Sequence, residues 1–325
     1  MKSKWSGYKS FMADHITAFL AYKRALARKF HTEDTALRLF DRYLFENDIG
    51  HLDNITPLLI EVFLASRPRK SPRSYNYLLG VIRRFFSWLV VQGILDSSPV
   101  KAHTRRATTK RQPFLFGLSD AKKLLAAADN LPDNSRAPLR GPTYSMIFAL
   151  LYGLGLRVGE ASRLCVKDVD LGRCLLVIRE TKFAKSRLVP FGPLMAKKIE
   201  TYLSLRGELK SDSSFFSFNK HRPVHPGTIS QTFHHLLPIL NLNIPAGVHP
   251  PRLHDLRHAF ATGTLLRWYR AGIDPASRLI HLSTFLGHVS PSSTAVYLSI
   301  TPDLLDQANE RFERLGSAII KEVSI

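Results

Sequence analysis

The spacing of apolar residues over the first hundred positions predicts helices. Apolar side chains recur there every three or four residues, which places them on one face of a helix. Two helices begin at Thr-Pro and Ser-Pro pairs, where proline costs no hydrogen bond because the first helical N–H groups have no partner. The predicted helices run over 15–30, 36–45, a segment from 57 onward, and 75–92. Four short helices of this kind predict a compact all-α bundle.

The pattern after residue 114 predicts a second, larger helical domain with one β-hairpin. Residues 174–179 and 187–191 are rich in Leu, Val and Ile and flank the polar stretch ETKFAKS, as expected for two strands and their turn. Elsewhere the apolar period is helical, over 119–128, 144–154, part of 156–171, 194–205, 226–240, 254–271, 277–286, 293–297 and 302–315. The chain is therefore predicted to be mainly α.

A basic segment separates the two helical regions. Residues 99–113, PVKAHTRRATTKRQP, contain five Lys and Arg residues, no acidic residue and almost no large apolar residue. This composition predicts a linker between an N-terminal domain at 1–98 and a C-terminal domain at 114–325. A solvated tether is one interpretation, and the charge favours a strap along a phosphate backbone. The candidate DNA-binding residues are Arg83, Arg84, Lys101, Arg105, Arg106, Lys110 and Arg111.

The overall charge indicates a polyanionic partner. The 325 residues include 46 Lys and Arg against 26 Asp and Glu, a formal net charge of +20, and the pI is about 10.2. Such an excess is typical of nucleic-acid-binding proteins. No apolar run approaches the ~20 residues that span a bilayer. The first residues lack the apolar block of a secretion signal, and only Cys165 and Cys174 are present. We therefore expect a reducing, cytoplasmic setting.

The stretch HDLRHAFAT predicts a helix with one reactive face. At about 100° per residue, His254, Arg257 and His258 lie on one side of this helix. Leu256 and Phe260 lie on the other side, which can pack against a core. Two histidines at i and i+4 also match a zinc pair, but no HExxH motif and no clear third carboxylate ligand accompany them. The pattern therefore favours a cationic, proton-exchanging face over a metal site.

Three more places carry reactive groups without an obvious packing role. Arg157 follows a helix-ending glycine, and Glu160 at i+3 can orient its guanidinium group. Lys182 and Lys185 lie in the turn of the predicted hairpin. The sequence FLGHVSPSSTAVYL places Tyr297 nine residues after a Gly-His pair. Each of these features is weak by itself.

Motifs that do not occur restrict the chemistry further. The sequence has no GxxxxGK[ST] phosphate loop, no GxSxG elbow and no cluster of acidic residues for a two-metal nuclease. A basic protein that acts on nucleic acid without such acids must stabilise phosphate charge with its own cations. Two arginines can clamp a phosphate, a lysine or histidine can supply a proton, and a tyrosine can be the nucleophile.

Taken together, these motifs resemble the tyrosine recombinase (phage integrase) family. The order, neighbours and spacings match in GLRVGEASRL, ETKFAKSRLVP, HDLRHAFAT and FLGHVSPSSTAVYL. The resemblance implies an N-terminal four-helix core-binding (SAM-like) bundle and a C-terminal catalytic domain of the integrase-like, DNA breaking-rejoining fold. It also implies site-specific recombination of double-stranded DNA, as in integration, excision or transposition of a mobile element, by a bacterial, nucleoid-associated protein. Such enzymes act as synaptic homotetramers, alone or with related subunits, without metal, nucleotide or other cofactor.

The resemblance also implies a role for each residue. Tyr297 attacks the scissile phosphate and becomes linked to a 3′-phosphate, and the cations that face it are expected to favour its phenolate. Lys182 protonates the leaving 5′-oxygen, with Lys185 as the alternative, and His254 assists proton transfer for Tyr297. Two arginines hold the non-bridging oxygens, and His288 hydrogen-bonds to the phosphate. The implied catalytic residues are Arg157, Lys182, His254, Arg257, His288 and Tyr297, with Glu160 and His258 in supporting roles.

Other functions stay open on the sequence alone. A type IB topoisomerase shares the phosphotyrosine chemistry but relaxes DNA as a monomer, and a DNA-binding protein could have the same fold without catalysis. The target site is not evident, nor is whether a phage, a transposon, an integron or chromosome resolution uses the enzyme. The amphipathic helix predicted over 302–315 can pack on its own domain or on a neighbouring protomer.

Overall fold

The chain divides into two compact units, Met1–Lys110 and Arg111–Ile325. Each unit has its own hydrophobic core. The computed structural model describes residues 7–26, 30–106, 112–179, 186–218, 222–288 and 290–299. The predicted helix at 302–315 lies outside the described residues, as do Lys110, Arg111, Lys182 and Lys185.

The described part of the first unit is built from four α-helices, as predicted. Thr56 and Ser71 each cap a helix, because their hydroxyl oxygen accepts a hydrogen bond from the backbone N–H three residues later. A proline follows each cap at the first helical position. The helices are α1 (Ala13–Ala25), α2 (His31–Glu46), α3 (Pro57–Ser66) and α4 (Pro72–Val91).

Aromatic rings fill the core of the first unit. The Phe40 ring lies 5.0 Å from that of Phe63 and 5.8 Å from that of Phe86, edge to face in both pairs. The buried carboxylate of Asp41 accepts hydrogen bonds from the backbone N–H groups of Lys9 and Ser10 and from the Ser10 hydroxyl. These bonds tie the segment before α1 to α2.

The predicted linker begins as part of the first unit. Val100 and Ala102 are buried in its core. The Arg83 guanidinium donates to the Ala102 carbonyl oxygen at 2.6 Å, and the Asn76 side chain exchanges two hydrogen bonds with the backbone of Arg105. The first part of the segment therefore packs on the helices, because its small apolar side chains are buried and its backbone groups are satisfied.

The second unit combines helices with a small antiparallel sheet of order β1-β2-β3. Strands β2 (Leu175–Ile178) and β3 (Arg187–Pro190) form the predicted hairpin. The short β1 (Val169–Asp170) was not predicted, because two residues cannot show an alternating pattern. The helices are α5 (Leu118–Asp129), α6 (Arg140–Gly153), α7 (Val158–Arg163), α8 (Pro193–Arg206), α9 (Pro226–Leu236), α10 (Asp255–Arg270), α11 (Pro275–Leu286) and α12 (Ser292–Ala295).

Helix α6 lies at the centre of the second unit. Every side chain from 143 to 151 is buried, which accounts for its mostly apolar sequence. Helix α10 packs against α6 and α11. It contributes Leu256 to the main core and Leu265 to a smaller apolar cluster that includes Tyr297. Within the described ranges, no helix combines the length and apolarity that a bilayer crossing needs.

Candidate active site

A glycine after α6 determines where Arg157 lies. Gly155 has a φ of +60°, in the left-handed region, and a Cβ atom there would lie 2.6 Å from the Phe260 ring. The chain turns so that Arg157 becomes the N-cap of α7. The carbonyl oxygen of Gly155 also accepts a hydrogen bond from Arg257 Nη1 at 2.7 Å. One tight turn therefore positions both arginines.

A buried carboxylate joins Arg157 to a second arginine, Arg187. The Glu160 side chain is 2% exposed, and its two oxygens accept four hydrogen bonds from these arginines at 2.7–3.0 Å. Burial would raise the pKa of Glu160, but the hydrogen bond and charge of Arg187 and the hydrogen bonds of Arg157 outweigh it and lower the pKa to about 2. The carboxylate is therefore ionised at neutral pH and orients both guanidinium groups.

Three arginines meet at the C-terminal end of α11. Arg187, Arg257 and Arg157 donate, in that order, to the carbonyl oxygens of residues 285, 286 and 287, at distances of 2.7, 2.5 and 2.8 Å. The last carbonyl groups of a helix have no intrahelical partner and lie at its negative end. The guanidinium groups satisfy them and fix the turn that follows the helix.

Arg257 is the most deeply buried cation of the site. It is 1% exposed, and its guanidinium group donates to two backbone carbonyl oxygens. Burial, followed by the positive charge of Arg157, lowers the pKa of Arg257 to about 9, so it stays charged at neutral pH. A desolvated cation acts strongly on neighbouring groups, and one of these is the phenol of Tyr297.

His288 follows this turn and lies over the ring of Tyr297. The two ring centroids are 6.2 Å apart and the rings are stacked. His288 Nδ1 forms a hydrogen bond of 2.7 Å with Thr294 Oγ1. Burial, followed by the charges of the nearby arginines, lowers the pKa of His288 to about 4. The imidazole is therefore neutral at pH 7 and can donate through one nitrogen.

The Tyr297 phenol is buried and protonated. The residue lies in a 3₁₀ turn, Val296–Ser299, and is 4% exposed. Burial raises the pKa of Tyr297 by more than the charges of Arg257 and Arg157 lower it. The facing cations do act in favour of the phenolate, as expected, but desolvation of the phenol outweighs them and the pKa is raised.

The positions of His254, the N-cap of α10, and of His258 within that helix differ from the expectation. His258 Nδ1 lies 3.0 Å from the Tyr297 hydroxyl oxygen, within hydrogen-bond distance. The partly exposed His254 ring packs edge-on against the His258 ring, with centroids 4.7 Å apart. Burial, followed by the charges of His258 and Arg257, lowers the pKa of His254. The histidine that touches the phenol is thus His258 and not His254.

Arg187 is a site residue that the sequence analysis missed. Its side chain is 8% exposed and contacts both Glu160 and the end of α11. The next residue in β3, Leu188, is exposed. A strand that points an arginine inward and a leucine outward departs from the usual alternation, and that reversal was the available signal.

The predicted DNA-binding residues that the structure describes lie in the first unit. Arg83 is engaged with the Ala102 carbonyl, and the Arg105 guanidinium stacks 3.9 Å from the centroid of the Tyr75 ring. Three others are exposed: Arg84, Lys101 and Arg106. The candidate general acids, Lys182 and Lys185, fall outside the described residues. The distances within the site therefore concern the other predicted catalytic and supporting residues.

Comparison with known proteins then assigns the family. The profile described as the phage integrase family matches residues 118–303, which is more than half of the chain. The chain belongs to this family.

Several relatives match over most of this recombinase's length. An integrase/recombinase of Sinorhizobium fredii, y4rB, is 34% identical over 92% of this chain and 96% of its own. Tyrosine recombinase XerC of Oceanobacillus iheyensis is 30% identical over 86% and 87% of the two chains. Tyrosine recombinase XerA of Pyrococcus horikoshii is 32% identical over 77% and 78%.

Solved structures show the same fold. The Tn1549 transposon integrase in complex with a circular intermediate DNA superimposes with a TM-score of 0.66 at 16% identity, over 93% of this chain and 98% of that one. A lambda integrase dimer bound to a COC′ core site gives 0.62 at 19% identity, over 85% and 75%. The predicted family, the mainly α integrase-like fold and the class of site-specific DNA recombinase are thereby confirmed, and the topoisomerase and inactive-binder alternatives are not favoured.

Proposed function

We propose that this recombinase cuts and rejoins DNA strands through a covalent link between Tyr297 and a 3′-phosphate, with no need for a metal ion or a nucleotide. The observation that carries the proposal is the convergence of Arg157, Arg257 and His288 around the Tyr297 phenol. These groups supply positive charge and hydrogen-bond donors, which is what a phosphate needs as charge develops on its non-bridging oxygens.

In the proposed cleavage step, the Tyr297 oxygen forms a bond to phosphorus while the bond from phosphorus to the 5′-oxygen breaks. The leaving oxygen takes up a proton, for which Lys182 in the hairpin turn is the proposed donor and Lys185 the alternative. The two arginines bind the non-bridging oxygens with planar guanidinium groups. Because the phosphotyrosyl bond conserves the energy of the cut bond, a second DNA end can reverse the step.

The proposed partner is double-stranded DNA carrying specific sites, and the proposed active assembly is a tetramer. The net charge of +20 supports a polyanionic partner. The lambda integrase and Tn1549 integrase structures hold bound DNA. A tetramer on paired DNA sites is expected to elute with the mass of four chains and two duplexes, and a complex that never exceeds one chain per duplex would contradict it.

Trapping the covalent intermediate tests the chemistry. A duplex that binds the Tyr297→Phe variant is first selected from a randomised pool, and a nicked version is then given to the wild-type protein. Loss of the short strand beside the nick prevents religation, so the covalent adduct accumulates. We expect an adduct with the wild type in excess EDTA and without ATP, and none with Tyr297→Phe. An adduct that persists in Tyr297→Phe, or that requires added Mg²⁺, would overturn the proposal.

A further inference from the structure

We infer that His258, with the carboxylate of Asp255 beside it, is the base that removes the proton from Tyr297 during DNA cleavage. The inference rests on the proposed function, since it concerns how the proposed nucleophile is activated. It departs from the role expected for His254, and it adds Asp255 to the site as a positioning residue.

The Tyr297 phenol needs a proton acceptor. Burial raises its pKa, so the hydroxyl keeps its proton at neutral pH and is a poor nucleophile by itself. A base must lie within hydrogen-bond reach, about 2.6–3.2 Å. His258 Nδ1 meets this condition at 3.0 Å. His258 is also half-buried in the described structure, which limits competition from water.

His258 is in the state that a base requires. Burial lowers its pKa by more than the neighbouring Asp255 carboxylate raises it, and the charges of Arg252 and Arg257 lower it further. The ring is therefore neutral at pH 7, and one nitrogen is free to accept a proton. His254 and Tyr297 are the other titratable groups that face the ring.

Asp255 is placed to stabilise the charge that proton transfer creates. Its carboxylate is fully buried, and Oδ1 lies 4.0 Å from His258 Nε2, whereas the Tyr297 hydroxyl faces Nδ1. Arg252 holds this carboxylate through its backbone N–H and through Nη2, both at 2.9 Å. An imidazolium 4.0 Å from a fixed carboxylate is favoured over one in apolar surroundings.

The proton balance of the step is simple. The phenol O–H bond breaks, and the proton moves to His258 Nδ1 while the phenol oxygen bonds to phosphorus. The Nε2–H of the resulting imidazolium points to Asp255. On religation the proton returns to the phenol oxygen as it leaves phosphorus, and His258 becomes neutral again. His258 thus acts on the nucleophile, whereas the proton for the 5′-oxygen comes from a different group.

A substrate with a 5′-bridging sulfur separates these two proton transfers, because sulfur leaves without being protonated. The probe is the selected duplex with a single such phosphorothiolate at the cleavage position. His258→Asn keeps a hydrogen-bond donor near the phenol but cannot accept a proton. We expect adduct formation at pH 7 to fall by about 10²- to 10³-fold in this variant on the normal and on the sulfur substrate alike. Restoration of the wild-type rate by sulfur would overturn the inference.

The dependence of the rate on pH gives a readout that a merely structural role would not change. In the wild type the rate should fall only on the acid side, below the ordinary histidine pKa of 6.5. In His258→Asn it should instead rise with pH, as hydroxide takes over the removal of the phenolic proton. His281→Asn, at an exposed histidine of α11, is the matched comparison, and its profile should keep the wild-type form. A wild-type profile in His258→Asn would contradict the inference.

Two further variants test Asp255, because they should shift the acid side of the pH–rate profile in opposite directions. Asp255→Asn removes the carboxylate beside His258, so the pKa of His258 should fall. The loss of rate on the acid side should then begin at lower pH, and the maximal rate of adduct formation should be lower than in the wild type. Arg252→Gln removes a positive charge and a hydrogen bond to the Asp255 carboxylate, so the pKa of His258 should rise. The loss of rate on the acid side should then begin at higher pH. An NMR titration of the His258 ring in both variants checks the same shifts if cleavage is too slow to follow.

The outcomes keep the inference and the proposed function apart. If the wild type forms no adduct through Tyr297, the proposed function fails. If it forms one and His258→Asn, still folded and DNA-bound, cleaves at the wild-type rate, only the inference about the base is lost. Identical shifts in Asp255→Asn and Arg252→Gln would remove Asp255 from the site and leave His258 in it.

Discussion

The two units bury charge in different ways. Among the described residues, the first unit buries one charged side chain, Asp41, whose carboxylate is satisfied by backbone N–H groups and a serine hydroxyl. The second unit buries Glu160, Asp255 and Arg257, whose side-chain hydrogen bonds are made largely to oppositely charged groups and to backbone carbonyl oxygens. Removing ions from water is costly, and good geometry only partly offsets the cost.

The contrast shows that the second unit contains buried ions, at a cost in stability, because its site uses them for chemistry. Asp41 ties a chain segment to a helix, which is a local structural task. The ions of the second unit instead hold guanidinium groups in fixed orientations beside a buried phenol, where a low dielectric strengthens their effect. A substitution of a buried ion in the second unit should therefore reduce stability or activity more than the matched substitution in the first unit. The predictions below test that difference in order of expected size.

The largest effect is expected for Glu160→Gln. It leaves the buried guanidinium group of Arg187 and the partly buried one of Arg157 without their shared counter-ion, so the free energy of unfolding should fall by about 3–5 kcal/mol. The matched change in the first unit is Asp34→Asn, at a carboxylate that pairs with the partly exposed Arg24 and Arg38. Its cost should be about 1 kcal/mol, because solvent screens those pairs. Urea unfolding measures both, and equal losses would erase the contrast.

Arg257→Ala should have the next largest effect, on catalysis. Loss of one fixed donor to a developing phosphate charge reduces rates by about 10²- to 10³-fold. The measurement is single-turnover adduct formation on the nicked duplex. Arg24→Ala, which removes an arginine of the first unit from an exposed ion pair, is the control and should stay within a few-fold of the wild type. The prediction fails if the two variants cleave at similar rates.

The stability from Glu160 should depend on pH in a defined window. Its pKa in the folded protein is about 2, against an ordinary value of 4.5. The contribution of about 3 kcal/mol is therefore fully present above pH 4.5 and is lost as the pH falls towards 2. The difference in unfolding free energy between the wild type and Glu160→Gln should shrink across this window. A difference that stays constant from pH 5 to pH 3 would argue against an ionised, tightly held carboxylate.

The smallest effect is expected for alanine substitutions at two glycines, which test packing separately from backbone strain. Gly155 and Gly93 both have positive φ, +60° and +69°, so alanine costs about 1–2 kcal/mol at either position. At Gly155 the new methyl group would also meet the Phe260 ring at 2.6 Å, whereas at Gly93 nothing lies within 4 Å. Gly155→Ala should therefore lose about 1 kcal/mol more by thermal or urea unfolding. Equal losses would mean that the turn before Arg157 relaxes freely.

Local patterns predicted much of the architecture. The described helices of both units and the strands of the hairpin lie where apolar periodicity and capping residues placed them, within about five residues at their ends. Interactions at i+3, such as Arg157 with Glu160, were also within reach, because they depend only on helix geometry. The two-residue strand β1 was not, because it is too short to show an alternating pattern. The packing of the segment after Val100 was not either, because its partners Arg83 and Asn76 lie 19 and 29 residues from the groups they bind.

The sequence by itself determined the helical fold, the family and the set of reactive side chains, because motifs and periodicity are local properties. Only the tertiary structure decided how those side chains meet. His258 and Tyr297 are separated by 39 residues and Arg157 and the Gly287 carbonyl by 130, so packing alone brings each pair together. The same packing keeps the phenol protonated, because desolvation depends on everything that surrounds a group and not on its neighbours in sequence.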